Sequence, residues 1–409
     1  VPIISHSFIE EFTITGGYRF SDYKIDGGNS FSTDTYKISA ELAPVRDVRL
    51  RASYNRAVRA PNIVELFFPQ ALGLSVGTDL CANEPGETPI LTQAQCANTG
   101  LNAAQYGTVD DNPANQYNTL FGGNANLTPE KADTYTVGAV IQPRWLPGLA
   151  LTVDYFNIKV KNLIAALPFN GVLASCAVTA DPAFCGLIHR DITGSLFNLN
   201  SGFIQLQTSN VGGLQTKGFD FNASYNHKFS GVGSLNISFV GTLLNHLIFD
   251  TGINANVPLG NSKLDGVYDC AGYYGAQCSF GAVFTSPNPK WRHKLRVGFN
   301  LPNGLGVSGQ WRYFDSVKND TLSGDADLNL SATGPHSKPN DAKIPAQSFF
   351  DLVLTARLTD KYNFRIGANN IFDKEPPVVG NSVSGNGNTF PQMYDSLGRF
   401  LFAGVTLDF

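Results

Sequence analysis

Twelve stretches of this chain place an apolar side chain at every second position, and the breaks between them alternate in length. In "FTITGGYRF", Phe12, Ile14, Tyr18 and Phe20 fall on one side of an extended backbone, with Thr13, Thr15, Gly17 and Arg19 on the other. "TYKISAEL" and "VRLRASYN" repeat the pattern from Thr35 and Val48. It returns at Thr134, Leu149, Gly218, Leu235, Trp291, Leu305, Phe349 and Tyr362, and finally at Leu401, where Leu401, Ala403, Val405, Leu407 and Phe409 share a phase. A period of two is the signature of a strand with unlike faces, because successive Cβ atoms point to opposite sides of a sheet.

The breaks restrict the topology. Short ones ("APVRD", "QPRWLPG", "SGVGS", "LPNG", "LTDK") take turns with long ones near 24–33, 59–130, 162–202, 250–289, 317–344 and 374–398. Tight turns at one rim and long loops at the other describe an up-and-down antiparallel barrel of the kind that crosses an outer membrane. Arg19, Arg49, Arg51, Arg292, Lys294, Arg296, Arg312, Arg357 and Arg365 share the phase opposite the apolar one, with Asp154, Asp220 and Asp351. Charge at a bilayer midplane costs about 2–4 kcal/mol on the lipid face, so a lipid solvent enforces this segregation. A soluble β-sandwich, as in a secreted adhesin, gives the same one-dimensional pattern. The aromatics favour the barrel: Tyr54, Tyr155, Tyr225, Trp291, Trp311, Tyr313 and Tyr362 lie near strand ends in the apolar phase, as interfacial girdles require. Two places break the phase. The alternation slips by one around Phe156 to Val160, and "FIQLQTSNVGGLQTKGFDF" reads as one long strand with a bulge near Gly212 and Gly213.

Composition excludes other classes. No stretch approaches the 18 to 20 apolar residues, roughly, of a membrane helix. A net charge of −4 gives no bulk reason to expect nucleic acid. Cys81, Cys96, Cys176, Cys185, Cys270 and Cys278 form three neighbouring pairs, all within long breaks. Local pairing, the simplest of the ways six cysteines can combine, implies three disulfides at one rim in an oxidising compartment. No Cys-x-x-Cys or recurrent His spacing supports a metal centre. Asp325, Asp327 and Asn329 resemble the start of a calcium loop but lack its glycine and closing glutamate. No nucleophile elbow, Walker loop or zincin motif is present, so neither catalytic residues nor a cofactor is expected.

Six phrases resemble a family: "RAVRAPNIVELF" (56–67), "GNANLTPEKADTYTVG" (123–138), "LTVDYFNIKVKNLI" (151–164), "GLQTKGFDFNASY" (213–225), "NNIFDKEPP" (369–377) and "GRFLFAGVTLDF" (398–409). In this order they are similar to the C-terminal barrel half of TonB-dependent outer-membrane receptors. The resemblance implies an all-β chain carrying about twelve strands of a 22-stranded barrel over residues 1–409, and a preceding plug domain outside it. A small closed barrel of twelve strands is the structural competitor. The family's activity would be energised uptake of a scarce solute, a ferric siderophore in the commonest case, with oligosaccharide or another nutrient as alternatives. A passive porin is the transport rival. Implied partners are the TonB–ExbB–ExbD complex acting through the plug, the barrel-assembly machinery reading the terminal Phe409, the bilayer and lipopolysaccharide, and a small-molecule ligand.

Two groups are the candidate ligand-binding residues. Arg49, Arg51, Arg292, Lys294 and Arg296 would give the lumen a focused positive potential, unless they pair with carboxylates of neighbouring strands. Among the loop aromatics, Phe67, Phe68, Tyr273 and Tyr274 would offer stacking surfaces.

Overall fold

The computed structural model describes residues 2–5, 9–25, 29–83, 87–114, 116–253, 257–259, 262–264, 266–275, 277–279, 287–325, 327–328, 342–359, 361–380 and 387–407. Thirteen strands follow one another in chain order across a single antiparallel sheet. They are β1 (Pro2–Ser5), β2 (Glu11–Tyr23), β3 (Phe31–Val45), β4 (Val48–Arg59), β5 (Glu130–Ile141), β6 (Leu149–Ala165), β7 (Ser209–Phe229), β8 (Gly233–Asp250), β9 (Trp291–Asn300), β10 (Leu305–Phe314), β11 (Gln347–Arg357), β12 (Tyr362–Asn369) and β13 (Phe400–Leu407). Twelve contain the alternating segments, and β1 is a short addition. A fourteenth short strand, Val267–Asp269, pairs with the end of β8; a meander in which the thirteen strands pair in chain order is a barrel wall, not the two facing sheets of a sandwich. Among the described residues β1 and β13 pair with β2 and β12 but not with each other, so no closed twelve-strand barrel is formed there.

The register fixes the two faces. Ala52, Val137, Tyr155, Phe219, Leu243 and Trp291 are successive cross-strand partners on the outward face. One residue along, Arg51, Gly138 and Asp154 are successive partners on the inward face. Outward aromatics interlock from strand to strand: Tyr54 and Tyr135 have ring centroids 4.8 Å apart, Tyr155 and Phe219 5.4 Å, Phe221 and Trp291 5.7 Å, and Trp311 and Phe350 6.1 Å. This is a girdle at the long-loop end. Tyr225, His227, Phe229 and Phe299 form a second near the short turns.

Two sequence expectations need correction. The slip at Phe156 to Val160 does not occur, since β6 stays in unbroken register with β5 and β7. Nor does β7 bulge at Gly212 and Gly213. The irregularity lies at Asn245 of β8, between the pairs Lys217↔His246 and Gly218↔Leu244. What changes is polarity: above the girdle the outward positions become Asn157, Lys159, Lys161, Gln215 and Lys217, while Ile158, Val160 and Leu214 turn inward. Outside the bilayer, water meets the outer surface and loop cores fill the inner one, so the apolar phase exchanges faces. Leu214 packs against the loop core around Phe249, Tyr268, Cys270 and Cys278.

Candidate functional site

The inward wall and the loops above it form the surface available to a solute. Residues 60–129 and 166–208 build one lobe together. Their short strands join in one small sheet, with Phe203–Gln205 running parallel to Gln116–Phe121. A helix over Phe169–Thr179 drives Val172, Leu173 and Cys176 into a core with Tyr117, Leu196 and Ile204. A contiguous core joins Leu80, Leu91 and Leu101 to Ala174 and Ala177. Each fully buried Leu or Ile contributes roughly 1.5–3 kcal/mol. Between the loops, Arg190 and Asp79 form a bidentate pair at 2.6 and 2.9 Å, both side chains almost wholly buried. The described residues of the segments 251–290, 315–346 and 370–399 contribute to a second lobe, cored by Tyr274, Val317, Ile344, Phe349, Val379, Phe390 and Tyr394.

The six cysteines are bonded as Cys81–Cys96, Cys176–Cys185 and Cys270–Cys278, two bonds in the first lobe and one in the second. Beside the third, the buried carboxylate of Asp320 accepts the N–H groups of Gln277 at 2.9 Å and Cys278 at 3.2 Å. Burial pushes its pKa up to about 6, against the opposing pull of those N–H donors.

The candidate cations divide into two sets. Arg49 is held by Glu41 at 3.0 Å and Glu11 at 3.1 Å, and Arg51 by both oxygens of Asp154. Their charge is spent on the wall. Arg292, Lys294 and Arg296 occupy alternate positions of β9, are exposed, and have no ion-pair partner among the described residues. Arg296 donates to Ser308 Oγ at 3.2 Å, and Arg292 lines an inner-wall pocket of about 220 Å³ with Phe156, Thr242, Asn288 and Met393.

The candidate aromatics divide as well. Phe67 and Phe68 end the short helix Ile63–Phe67 with about half their surface exposed. That helix is fixed by a capping box between Asn62 and Glu65, and Arg59 clamps Glu65 and Glu130. Tyr273 is partly buried. Tyr274, expected to offer a stacking face, is instead fully buried, its ring edge-on to Phe390 in the second core. Phe409 and Asn329 lie outside the described residues. Sequence reasoning passed over Arg312, the hub of the second lobe. It bonds Asp351 at 2.8 and 2.9 Å and Asp395 at 2.8 and 2.5 Å, and its guanidinium lies 5.2 Å from the centroid of the Phe349 ring. Its position in the inward phase was legible, but its partner on the 370–399 connection was not.

A one-sheet meander with a lipid-compatible outer face, a charged inner face and disulfide-bonded loops at one rim is a wall of an outer-membrane β-barrel. The family profile "TonB dependent receptor-like, beta-barrel" matches residues 6–371. The chain belongs to the TonB-dependent receptor family, a class of Gram-negative outer-membrane transport proteins and not enzymes. Solved structures with a similar fold include a mutant of the ferric enterobactin receptor PfeA from Pseudomonas aeruginosa (15% identity, TM-score 0.55, 92% of this chain and 40% of that one). Others are the siderophore receptor PirA from Acinetobacter baumannii (15%, 0.54, 98% and 46%) and the FrpB iron transporter from Neisseria meningitidis (15%, 0.52, 97% and 43%). The chain spans less than half the length of these receptors. No curated protein sequence matches it.

Proposed function

We propose that this chain is part of the barrel of an active outer-membrane receptor for a scarce anionic solute, a ferric siderophore being the best-supported class. Uptake would be energised by the TonB–ExbB–ExbD complex acting through a plug, with the barrel-assembly machinery reading the last strand. One observation carries the ligand class: Arg292, Lys294 and Arg296 line the inner face of a receptor wall without carboxylate partners among the described residues. Cations in a low-dielectric cleft raise the local concentration of an anion and speed its entry, an effect that weakens with salt. The names of the similar solved receptors support an iron chelate as cargo.

The test is uptake of radiolabelled iron presented as anionic ferric siderophores, in iron-starved cells producing the full receptor. Arg292→Gln, Lys294→Gln and Arg296→Gln combined lower the initial rate about tenfold at low salt and less at high salt. Uptake vanishes when energy coupling is removed. An unchanged rate in the triple variant sinks the anionic-chelate reading, and uptake that survives without coupling indicates a passive pore.

A further inference from the structure

We infer that the strand Ala71–Val76 of the first lobe is a docking edge for an extended, uncharged segment of another protein outside the cell, which adds a strand to the lobe's small sheet. That sheet runs in the order Ala71–Val76, Gln116–Phe121, Phe203–Gln205, Ile188–His189, so among the described residues Ala71–Val76 is paired on one side only. Asn118 donates its N–H to the Leu196 carbonyl at 3.0 Å, and the Leu120 carbonyl accepts the N–H of Leu206 at 3.0 Å, so both turn their backbone groups away from Ala71–Val76. Antiparallel partners exchange two hydrogen bonds or none. Leu74 and Leu72, which face Asn118 and Leu120, therefore direct their own N–H and C=O groups to the open side, whereas Gly73 and Ser75 direct theirs to Thr119 and Tyr117.

The side chains leave this edge unguarded. Leu72 is 45% and Leu74 59% exposed, both on one face of the strand. The other face is closed, since a Cβ at Gly73 would lie 3.0 Å from the Phe121 ring. Just upstream, Ile63, Val64, Phe67 and Phe68 are also exposed, and no residue from Leu66 to Thr78 carries a charge. Natural edge strands are blunted by lysine, by proline or by a bulge. Here Pro69 precedes the strand, and its pairing with Gln116–Phe121 has no break in register. Lipid does not cover the patch. Arg59, at the end of β4, is already five residues beyond Tyr54 of the upper girdle, roughly 16 Å at the usual rise of a strand. Leu66, on the helix that follows, is buried against Leu127 and Ile164 among the loops.

The chemistry of the edge selects the occupant. Donors and acceptors that recur at every second residue are matched by a polypeptide backbone, a repeat that neither a chelate nor a sugar carries. Charge complementarity sets the sequence: a charged side chain laid against Leu72 or Leu74 would lose hydration and gain no counter-ion from the strand. The segment is therefore neutral, with apolar residues at alternate positions. The site lies on the sheet of the lobe and not on the inner wall at β9, so it does not depend on the solute class proposed above.

The probe is a fluorescent seven-residue peptide of alternating valine and threonine with blocked ends, titrated by anisotropy into the full receptor in detergent. It binds at least about tenfold more tightly than the same peptide N-methylated at every amide, or than one with aspartate in place of valine. Hydrogen exchange, resolved residue by residue with electron-transfer fragmentation, shows the amides of Leu72 and Leu74 gaining protection on binding, while those of Gly73 and Ser75 are protected throughout. Leu74→Pro removes only an open-side donor and abolishes binding with the unfolding midpoint unchanged. Leu74→Lys keeps the backbone intact, weakens binding about tenfold, and carries the test should the proline variant not fold. Equal binding of the N-methylated peptide overturns the proposal, as does unaltered binding in Leu74→Lys. So does protection of the Leu72 and Leu74 amides before peptide is added, which assigns the edge to the receptor's own remaining segments. A receptor dimer that forms without peptide and is dissolved by Leu74→Lys overturns it too, by assigning the edge to a second copy.

Discussion

Arg51 holds Asp154 across an intervening strand, with Nε at 2.8 Å from Oδ1 and Nη2 at 2.6 Å from Oδ2. The two are not direct partners: Arg51 pairs with Gly138, and Gly138 with Asp154. The glycine leaves the passage open, since a Cβ there would lie 2.0 Å from Asp154 Oδ1 and 2.8 Å from the Val153 carbonyl oxygen. Three strands are tied by one ion pair.

Asp154→Asn therefore removes a half-exposed pair and lowers stability by about 1 kcal/mol at most, because such pairs are screened by solvent. Gly138→Val costs more, about 2 kcal/mol, since the backbone oxygen of Val153 cannot move aside as a side chain can. Urea unfolding in detergent, followed by Trp fluorescence, measures both. Equal effects would contradict the role given to Gly138.

Arg312 is 15% exposed and serves two carboxylates on different segments. Arg312→Gln leaves Asp351 and Asp395 facing each other without a cation, a loss of about 3 kcal/mol. Arg312→Lys recovers little of it, because an ammonium cannot make both forked contacts. Hydrogen exchange checks this: amides of 387–399 lose protection in both variants, while those of β3 and β4 do not change.

The loop that closes Cys81 with Cys96 spans 15 residues, and in the chain-entropy picture its bond contributes about 3 kcal/mol. Mild reduction is expected to open the first lobe to protease between 79 and 109 while the wall strands survive intact. Peptide mapping of the digest reads the outcome directly.

Asp320 supplies a pH dependence. Its folded pKa of about 6 exceeds the ordinary value of 3.8, so the lobe gains stability below the unfolded value and loses it as pH rises through 6. The difference between the limits is about 3 kcal/mol. Reduction of Cys270–Cys278 by a phosphine, which stays active over this range, is accordingly slower at pH 4.5 than at pH 7.5, by a factor set by about 2 kcal/mol of that difference, since pH 4.5 still lies above the unfolded value. In Asp320→Asn the two rates converge.

Period-two alternation made the twelve principal strands legible because lipid imposes one rule on every outward side chain. The rule ends where the bilayer does. Above the girdle, Lys159 and Lys161 follow water, and read under the membrane rule they simulate a slip of register. The disulfide partners were readable from proximity, but the lobes were not. The helix Phe169–Thr179 is buried on most sides and has no polar face to mark it, and Tyr274 looks in sequence like any other loop aromatic. Arg312 shared its phase with eight other cations, and what sets it apart is a carboxylate partner, Asp395, on the long 370–399 connection.

The bond between Arg190 and Asp79 joins two excursions of the chain that leave the wall from different strand pairs. Substituting either excursion alone would strand a buried charge, so these surface segments are constrained to diversify together. Whatever recognises the exterior of this protein, whether antibody, phage or toxin, meets a composite epitope whose halves drift in concert, and grafting this surface onto another receptor requires moving both segments at once.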